Sequence, residues 1–283
     1  MRKPRRIQWP GGARIAVSIV LNVEEWTAEG PSRFYMPFPP GAKATRDSAT
    51  VTDQEYGWRA GLWRLLEILD RHGVKTTAWT SGLAAERRPD AIREMHDAGH
   101  EIGGHGYDQS VRFVVLDREE EAAAIRMSVE RIREVTAEAP IGWMSPGARS
   151  GVHTLELLLE SGFIYHSDTV GGDLPYPESV GGGRLLAVPY TLLNNDYRFY
   201  LYGDPPLTPA ETLDWLRADF DQLYDEGENF PQMMTYGVHP YVTGRPGRAR
   251  AFEDFIRYVK GFPGVWFARR DEIARCWLKQ NEE

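Results

Sequence analysis

The stretch Ile15-Ala-Val-Ser-Ile-Val-Leu-Asn-Val23 decides the fold, because it is a nearly unbroken apolar run rich in β-branched residues. Such a run is typical of a strand buried on both faces, as in parallel sheets that helices cover. After a Gly/Pro-rich segment from about Gly30 to Gly41, the amphipathic pattern from Tyr56 to His72 predicts a helix that stops at Gly73. A buried strand followed by a helix predicts the first unit of an α/β fold.

The same alternation continues to the end of the chain. Further strands are predicted at residues 76–80, 101–104, 141–144, 163–167, 185–190, 232–238 and 265–268, and further helices at 89–98, 117–136, 154–160, 208–227, 246–261 and 271–279. No low-complexity linker interrupts the pattern, which indicates a single domain over residues 1–283 with a basic N-terminal tail at about 1–8. Since no Gly-rich dinucleotide motif follows the first strand, we expect a distorted (β/α) barrel with about seven parallel strands.

Composition and charge exclude several classes of protein. The 283-residue chain is 42% hydrophobic and 26% charged, as in ordinary globular proteins. Its 33 basic and 41 acidic residues give a net charge of −8, which argues against nucleic acid or a membrane surface as a partner. No apolar segment is long enough to span a membrane, and none has the form of a signal peptide. With one cysteine, Cys276, and therefore no internal disulfide, we expect a cytoplasmic protein.

Polar side chains collect at the carboxyl ends of the predicted strands, where parallel barrels carry their chemistry. An acidic pair such as Glu24-Glu25 is often only a solvated turn, but here it follows a buried strand at the barrel mouth. His105 and His239 hold equivalent strand-end positions, whereas the other five histidines are interpreted as structural. The remaining strand-end residues are Asn22, Thr80, Ser81, Ser145, Asp168, Thr169, Asn194, Asn195 and Asp196. Together they predict one site at the rim of the barrel.

The segment Gly99-His-Glu-Ile-Gly-Gly-His-Gly-Tyr107 resembles the histidine motif of the polysaccharide deacetylase superfamily, whose fold is a distorted (β/α) barrel. The stretches Val20–Trp26, Ile141–Gly147 and Val238–Arg248 agree with that superfamily in order and spacing. Two others, Pro189–Phe199 and Gly264–Trp277, resemble its branch of cofactor-free allantoinases and cyclic-imide hydrolases. The resemblance covers about Trp9 to Trp277. It implies a hydrolase of non-peptide carbon–nitrogen bonds that opens a cyclic amide such as allantoin, hydantoin or a cyclic imide.

The sequence departs from the superfamily pattern at the positions that bind a divalent metal. In that pattern an Asp and the two histidines of an H-x-x-x-H motif usually hold the metal. Glu24 stands at the position of the metal-binding Asp, and Asn22 at that of a catalytic Asp. His105 is kept, but Gln109 replaces the second histidine, and Met144 replaces the usual arginine of the third motif. A carboxamide oxygen is a poor zinc ligand beside imidazole. We therefore expect either no cofactor or one weakly bound divalent metal, held by Glu24 and His105.

The resemblance and the strand-end positions together suggest roles in the hydrolysis of an amide by water. Such a reaction requires a base, stabilisation of the oxyanion and an acid for the leaving nitrogen. Glu24 or Glu25 is expected as the base or metal ligand, and His105 as the metal ligand or water-positioning group. His239 is expected as the acid, because its ordinary pKa near 6.5 suits proton transfer. Backbone amides of residues 145–147 are the predicted oxyanion donors.

The predicted substrate-binding residues fall into two groups. Ser145, Arg149, Asn195 and Asp196 are expected near the polar edge of a planar ring. Trp26, Tyr56 or Trp58 are expected against its face.

Two other functions stay open at this point. The first is N-deacetylation of amino sugars, which the missing second histidine and the missing export signal disfavour. The second is a non-catalytic descendant that binds a small ligand. A small-molecule cyclic amide is the expected partner, and the resemblance implies a homo-oligomer.

Overall fold

The computed structural model describes residues 7–27, 48–202 and 205–281. Nine strands in these ranges form one sheet in the order β6–β7–β5–β4–β3–β2–β1–β8, with β9 paired to β1. They are β1 Ile15–Val23, β2 Thr77–Thr80, β3 Glu101–Gly104, β4 Gly142–Trp143, β5 Tyr165–His166, β6 Tyr176–Val180, β7 Gly183–Ala187, β8 Gln232–Val238 and β9 Val265–Phe267. All pairs are parallel except β6–β7. The segment Gly30–Gly41 and residues 1–6 of the predicted tail lie outside the described residues.

Helices lie between the strands, as the alternating pattern predicts. They are α1 Ser48–Tyr56, α2 Leu62–Arg71, α3 Gly82–Arg87, α4 Pro89–Asp97, α5 Arg118–Thr136, α6 Thr154–Glu160, α7 Asp196–Tyr200, α8 Pro209–Glu226, α9 Pro240–Thr243, α10 Pro246–Lys260 and α11 Arg270–Asn281. The helix predicted from Tyr56 extends further back, because α1 continues through a π-helical turn, Gly57–Gly61, into α2. Within the described ranges, no helix has both the length and the apolar character needed to cross a membrane.

The β1 strand is the centre of the fold, and all nine of its residues are buried. It pairs with β8 along one edge and with both β9 and β2 along the other. Its odd-numbered side chains, such as Ile19, pack in the apolar cluster that α2, α4, α8 and α10 share. Its side chains at Ala16 and Val20 pack instead with Trp79 and Tyr165. Because side chains alternate between the two faces, an apolar run on both faces is what this position requires.

The hairpin of β6 and β7 differs from the prediction. A single strand was expected at residues 185–190, but β7 is Gly183–Ala187 and pairs antiparallel with β6. Tyr176–Val180 contains a proline and alternates partly buried with exposed residues, as in an edge strand, so its sequence gives little strand signal. Gly181 and Gly182 have φ values of 52° and 85° and form the turn of the hairpin.

The sheet curves into an open, distorted barrel, so the predicted fold class is confirmed. It has eight parallel strands and one antiparallel strand among the described residues, instead of about seven parallel strands. Its β8 edge carries one isolated parallel bridge, between Asn195 and Gly237. This bridge places the segment before α7 directly beside the end of β8, and both segments contribute to the site described next.

Candidate active site

Three of the predicted catalytic residues meet where β1, β3 and β8 end. Glu24 Oε1 lies 3.1 Å from His105 Nε2, and Glu24 Oε2 lies 3.6 Å from His239 Nε2. The side chains of Glu24, His105 and His239 are 8%, 1% and 4% exposed. Residues more than 200 positions apart in the chain therefore form one carboxylate flanked by two imidazoles.

His105 is oriented by the backbone of the neighbouring strand. Its Nδ1 lies 2.6 Å from the Met144 carbonyl oxygen. Since a carbonyl only accepts, Nδ1 carries a proton and donates it. The turn after His105 depends on Gly106, which has a φ of +69° and whose missing Cβ would lie 2.8 Å from Pro146. A glycine at this place lets the ends of β3 and β4 approach closely and aims His105 at Glu24.

His239 is held by Asp196, whose side chain is fully buried. Asp196 accepts hydrogen bonds from His239 Nδ1 at 2.6 Å, from the His239 amide at 2.7 Å and from Thr243 Oγ1 at 2.7 Å. The Tyr197 ring stacks on the imidazole with centroids 3.8 Å apart and planes within 11°. Asp196 was predicted to bind the substrate. The structure corrects this assignment, because a buried carboxylate with these donors orients His239 instead.

The electrostatics of the cluster stabilise a cation on His239. Both ring nitrogens of His239 face carboxylates, one of Asp196 and one of Glu24. Burial alone would lower the pKa of His239, but these two carboxylates outweigh it and raise the pKa to about 9. Burial alone would raise the pKa of Glu24, but the charge of His239 and the hydrogen bonds of both imidazoles hold it well below its usual range. At neutral pH the site therefore holds an imidazolium beside a carboxylate.

Glu25 does not join this cluster, although it is adjacent to Glu24. Its carboxylate lies 3.3 Å from Arg87 Nη1 and 3.2 Å from Arg88 Nε, at the end of α3. Consecutive side chains in extended backbone point to opposite sides, so the two glutamates separate. Glu25 is in the position of a salt-bridge partner, and Glu24 is the member of the pair that contacts the histidines.

Aromatic side chains also pack near His239. The rings of Tyr241 and His239 have centroids 6.0 Å apart, and those of Trp26 and Tyr241 lie 5.8 Å apart in an edge-to-face arrangement. The hydroxyl groups of Tyr197 and Tyr241 are hydrogen-bonded to each other. Trp26, predicted to face the substrate ring, is therefore part of the same aromatic group as His239.

Tyr56 and Trp58 make other contacts. The Tyr56 hydroxyl accepts a hydrogen bond from Arg64 at 2.7 Å, and its ring lies beneath the guanidinium of Arg245 at 3.6 Å. The Trp58 ring lies 5.5 Å from the guanidinium of Arg88. Trp58 also packs against the apolar core cluster, and the Tyr56 hydroxyl also donates to the Gly244 carbonyl, so in the described ranges the hydrogen bonds and ring contacts of both side chains are with groups other than the site histidines.

The predicted polar-edge residues are also dispersed. Ser145 donates its amide and its hydroxyl to the Asp168 carboxylate, both at 2.6 Å, so the structure assigns this amide to Asp168 and not to an oxyanion. Asn195 caps α7 by accepting from the Tyr197 amide and donates to the Tyr190 hydroxyl at 2.7 Å. Arg149 is exposed at the end of the turn that follows β4.

Sequence reasoning missed the site roles of several residues. Tyr197 and Tyr241 contact His239, Thr243 contacts Asp196, and Asp168 contacts Ser145. Tyr197 and Tyr241 come one and two residues after Asp196 and His239, respectively. The closeness of Tyr197 and Tyr241 to polar strand-end residues in the sequence could have indicated that these two tyrosines belong to the site.

The residues present do not fit a three-ligand zinc site. The Gln109 amide, at the position of the second motif histidine, donates to the carbonyl of His105 and so faces the backbone. No group of three His, Cys, Asp or Glu side chains is placed to hold a metal ion in the part of the chain that the structure describes. Structural and catalytic zinc sites require at least three protein ligands.

Comparisons with known proteins identify the family of this chain. Residues 43–166 match the family model described as polysaccharide deacetylase. A putative polysaccharide deacetylase of Schizosaccharomyces pombe is 33% identical over 302 residues, which cover 95% of this chain and 92% of the relative. The chain belongs to the polysaccharide deacetylase family. The family predicted from the motifs is thereby confirmed, and its members are hydrolases that act on carbon–nitrogen bonds.

Two solved structures of this family's fold superpose on the whole chain. A probable polysaccharide deacetylase from Pseudomonas aeruginosa PAO1 has a TM-score of 0.90 at 35% identity and covers 100% of this chain and 97% of its own. PuuE allantoinase has a TM-score of 0.91 at 35% identity and covers 100% of this chain and 96% of its own. This polysaccharide deacetylase family member is thus as similar to an allantoinase as to a protein classified as a deacetylase.

Proposed function

We propose that this protein opens a cyclic amide of the allantoin, hydantoin or cyclic-imide type. The observation that carries the proposal is the buried pair of Glu24 and protonated His239, which supplies a proton acceptor and a proton donor without a third metal ligand. The likeness to PuuE allantoinase over the whole chain supports the cyclic-amide branch. The substrate is a small molecule, because the acid and base lie within a nearly closed cluster.

The proposed mechanism uses the two groups in sequence. Water attacks the ring carbonyl while Glu24 accepts its proton, and His239 Nε2 donates a proton to the leaving nitrogen as the carbon–nitrogen bond breaks. When His239 loses its charge, the largest influence that lowers the pKa of Glu24 disappears, so Glu24 keeps the proton taken from water until both groups are reset. Return of the proton from Glu24 to His239, across 3.6 Å, restores the starting state.

We also propose that catalysis does not depend on a tightly bound metal, since Gln109 faces the backbone. After purification without added metal, the protein should contain well below one equivalent of zinc, and prolonged treatment with a chelator should leave kcat within about twofold of its starting value. Metal analysis by mass spectrometry and steady-state assays check both. A loss of activity that stoichiometric zinc restores would contradict this proposal.

The pH dependence should follow the protonated form of His239. Because its pKa is raised to about 9, kcat/KM should hold up to about that pH and decline above it. The same ionisation stabilises the fold fully below about pH 6.5, the ordinary pKa of histidine, and this contribution is lost as the pH rises through 9. Asp196→Asn removes one of the two carboxylates and should move the alkaline decline of kcat/KM to lower pH. If kcat/KM declines at the same pH in Asp196→Asn and in the unsubstituted protein, the alkaline decline does not report the ionisation of His239.

N-deacetylation of an amino sugar is the second candidate, and the S. pombe relative classified as a putative polysaccharide deacetylase favours it. A panel of allantoin, hydantoin, succinimide, maleimide, phthalimide and N-acetyl sugars separates the two functions. Ring opening is followed by the loss of ring absorbance, and deacetylation by the release of acetate. Turnover of N-acetyl sugars alone would replace the proposal, and no turnover of any compound would favour a ligand-binding role.

A further inference from the structure

The carboxylate of Asp168 lies beyond the end of β5, beside the peptide that joins Met144 to Ser145. Its Oδ1 accepts the Ser145 amide proton at 2.6 Å, and its Oδ2 accepts the Ser145 hydroxyl proton at 2.6 Å. On the other side of the same peptide, the Met144 carbonyl accepts from His105 Nδ1 at 2.6 Å. One peptide group therefore connects Asp168 to His105 through its two ends.

This arrangement continues the hydrogen bonding of the sheet. The Met144 amide donates to the Gly104 carbonyl of β3, and the Ser167 amide donates to the Trp143 carbonyl of β4. Beyond these strand ends, side chains replace the backbone as hydrogen-bond partners. The His105 ring donates to the Met144 carbonyl, and the Asp168 carboxylate accepts from the Ser145 amide. The C=O and N–H of a trans peptide point in opposite directions, so the three groups lie in a row across adjacent strand ends.

We propose that Asp168 is a positioning residue for His105 and acts through the Met144–Ser145 peptide. A carboxylate on the amide proton polarises the peptide and makes its carbonyl a stronger acceptor for His105 Nδ1–H. This holds the Nδ1–H group of His105 against the Met144 carbonyl and so sets the direction in which Nε2 faces Glu24. Each site histidine is thus backed by an aspartate, His239 directly by Asp196 and His105 through one peptide by Asp168. The consequence for turnover rests on the function proposed above, whereas the consequence for the His105 ring does not.

We call the connection from Asp168 through the Met144–Ser145 peptide to His105 the relay. It requires an ionised Asp168 carboxylate, which is present near neutral pH. Burial raises the pKa of the Asp168 carboxyl to about 6, against the hydrogen bonds from Ser145 and the influence of His105, which lower it. Glu178 also acts to raise that pKa, and its carboxylate lies 3.5 Å from His166 Nε2. Asp168 is therefore mostly ionised at pH 7 and above.

The test compares Asp168→Asn with Asp173→Asn, which removes the same charge from an exposed position in the loop that follows. An asparagine at 168 has nearly the same shape and keeps an oxygen to accept the Ser145 amide. Its Nδ2 replaces the oxygen that accepts the Ser145 hydroxyl, so the charge and that one acceptor are lost. The readout is the ¹H–¹⁵N spectrum of the His105 ring, assigned by its absence in His105→Gln. In Asp168→Asn the Nδ1–H signal should move upfield as its hydrogen bond weakens, and in Asp173→Asn it should stay in place.

On the substrate that the panel identifies, Asp168→Asn should lower kcat about tenfold or more with little change in KM, as for other groups that orient a site histidine through its second nitrogen. An unchanged His105 signal would overturn the inference whatever the activity. If the His105 signal moves in Asp168→Asn but the unsubstituted protein turns over no cyclic amide, the proposed function is wrong and the positioning role of Asp168 is supported. If Asp168→Asn does not fold, Ser145→Ala serves instead. It removes the hydroxyl contact and keeps the peptide, so a displaced His105 signal would assign the coupling to the hydroxyl and overturn the relay.

Discussion

The His239→Ala variant is expected to lose about 10²- to 10⁴-fold in kcat, the usual contribution of a positioned acid. The reason is geometric, because Asp196 and Glu24 hold the imidazole from both sides and keep it protonated. The measurement is the steady-state rate of ring opening at neutral pH, with thermal unfolding to verify that the variant is folded.

His96→Ala is the matched control for that variant. His96 lies on α4, its side chain is 29% exposed, and its ring contacts the surface carboxylates of Asp97 and Glu138. Its removal should leave kcat within about twofold. A loss of less than tenfold in His239→Ala would remove His239 from the role of acid.

The Glu24→Gln variant should show a loss of similar size, about 10²- to 10⁴-fold in kcat. Glutamine keeps the shape of the side chain but cannot accept the proton of water, and it leaves the charge on His239 with one carboxylate instead of two. The pKa of His239 should therefore fall, and the alkaline decline of kcat/KM should move to lower pH. Steady-state assays between pH 6 and 10 measure both effects.

Glu25→Gln is the comparison that separates the two adjacent acids. Because Glu25 is paired with Arg87 and Arg88, its replacement should change kcat by less than tenfold. Exposed or partly exposed pairs of this kind contribute about 1 kcal/mol or less to stability, so the variant should remain folded. Equal losses in Glu24→Gln and Glu25→Gln would contradict the division of roles.

The sequence was sufficient to predict the fold class and the central strand. The run Ile15–Val23 is apolar on both faces, and only a strand covered on both sides requires that pattern. The edge hairpin was not predictable in the same way, since Tyr176–Val180 is partly exposed and includes a proline. The hydrophobic pattern of a sequence reflects the burial of its side chains. It therefore predicts central strands, which are buried, better than edge strands, which are partly exposed.

The site was predictable only in part, for a related reason. Strand-end positions were enough to place Glu24, His105 and His239 at one rim. They did not show which way neighbouring side chains turn, and this decides that Glu24 faces the histidines while Glu25 faces Arg87. They also could not show that Asp196 lies beneath His239, because that contact depends on how the segment before α7 lies against β8.

The bridge between Asn195 and Gly237 holds the residue before Asp196 beside the strand that ends before His239. Asp196 and His239 lie more than 40 residues apart in the chain. The Asp196 carboxylate can therefore contact His239 only when this bridge has brought the two segments together. A folding intermediate with β1 and β8 assembled but without this bridge would contain every site residue and yet lack the Asp196 carboxylate that holds His239. Recovery of turnover on refolding should therefore lag behind recovery of secondary structure.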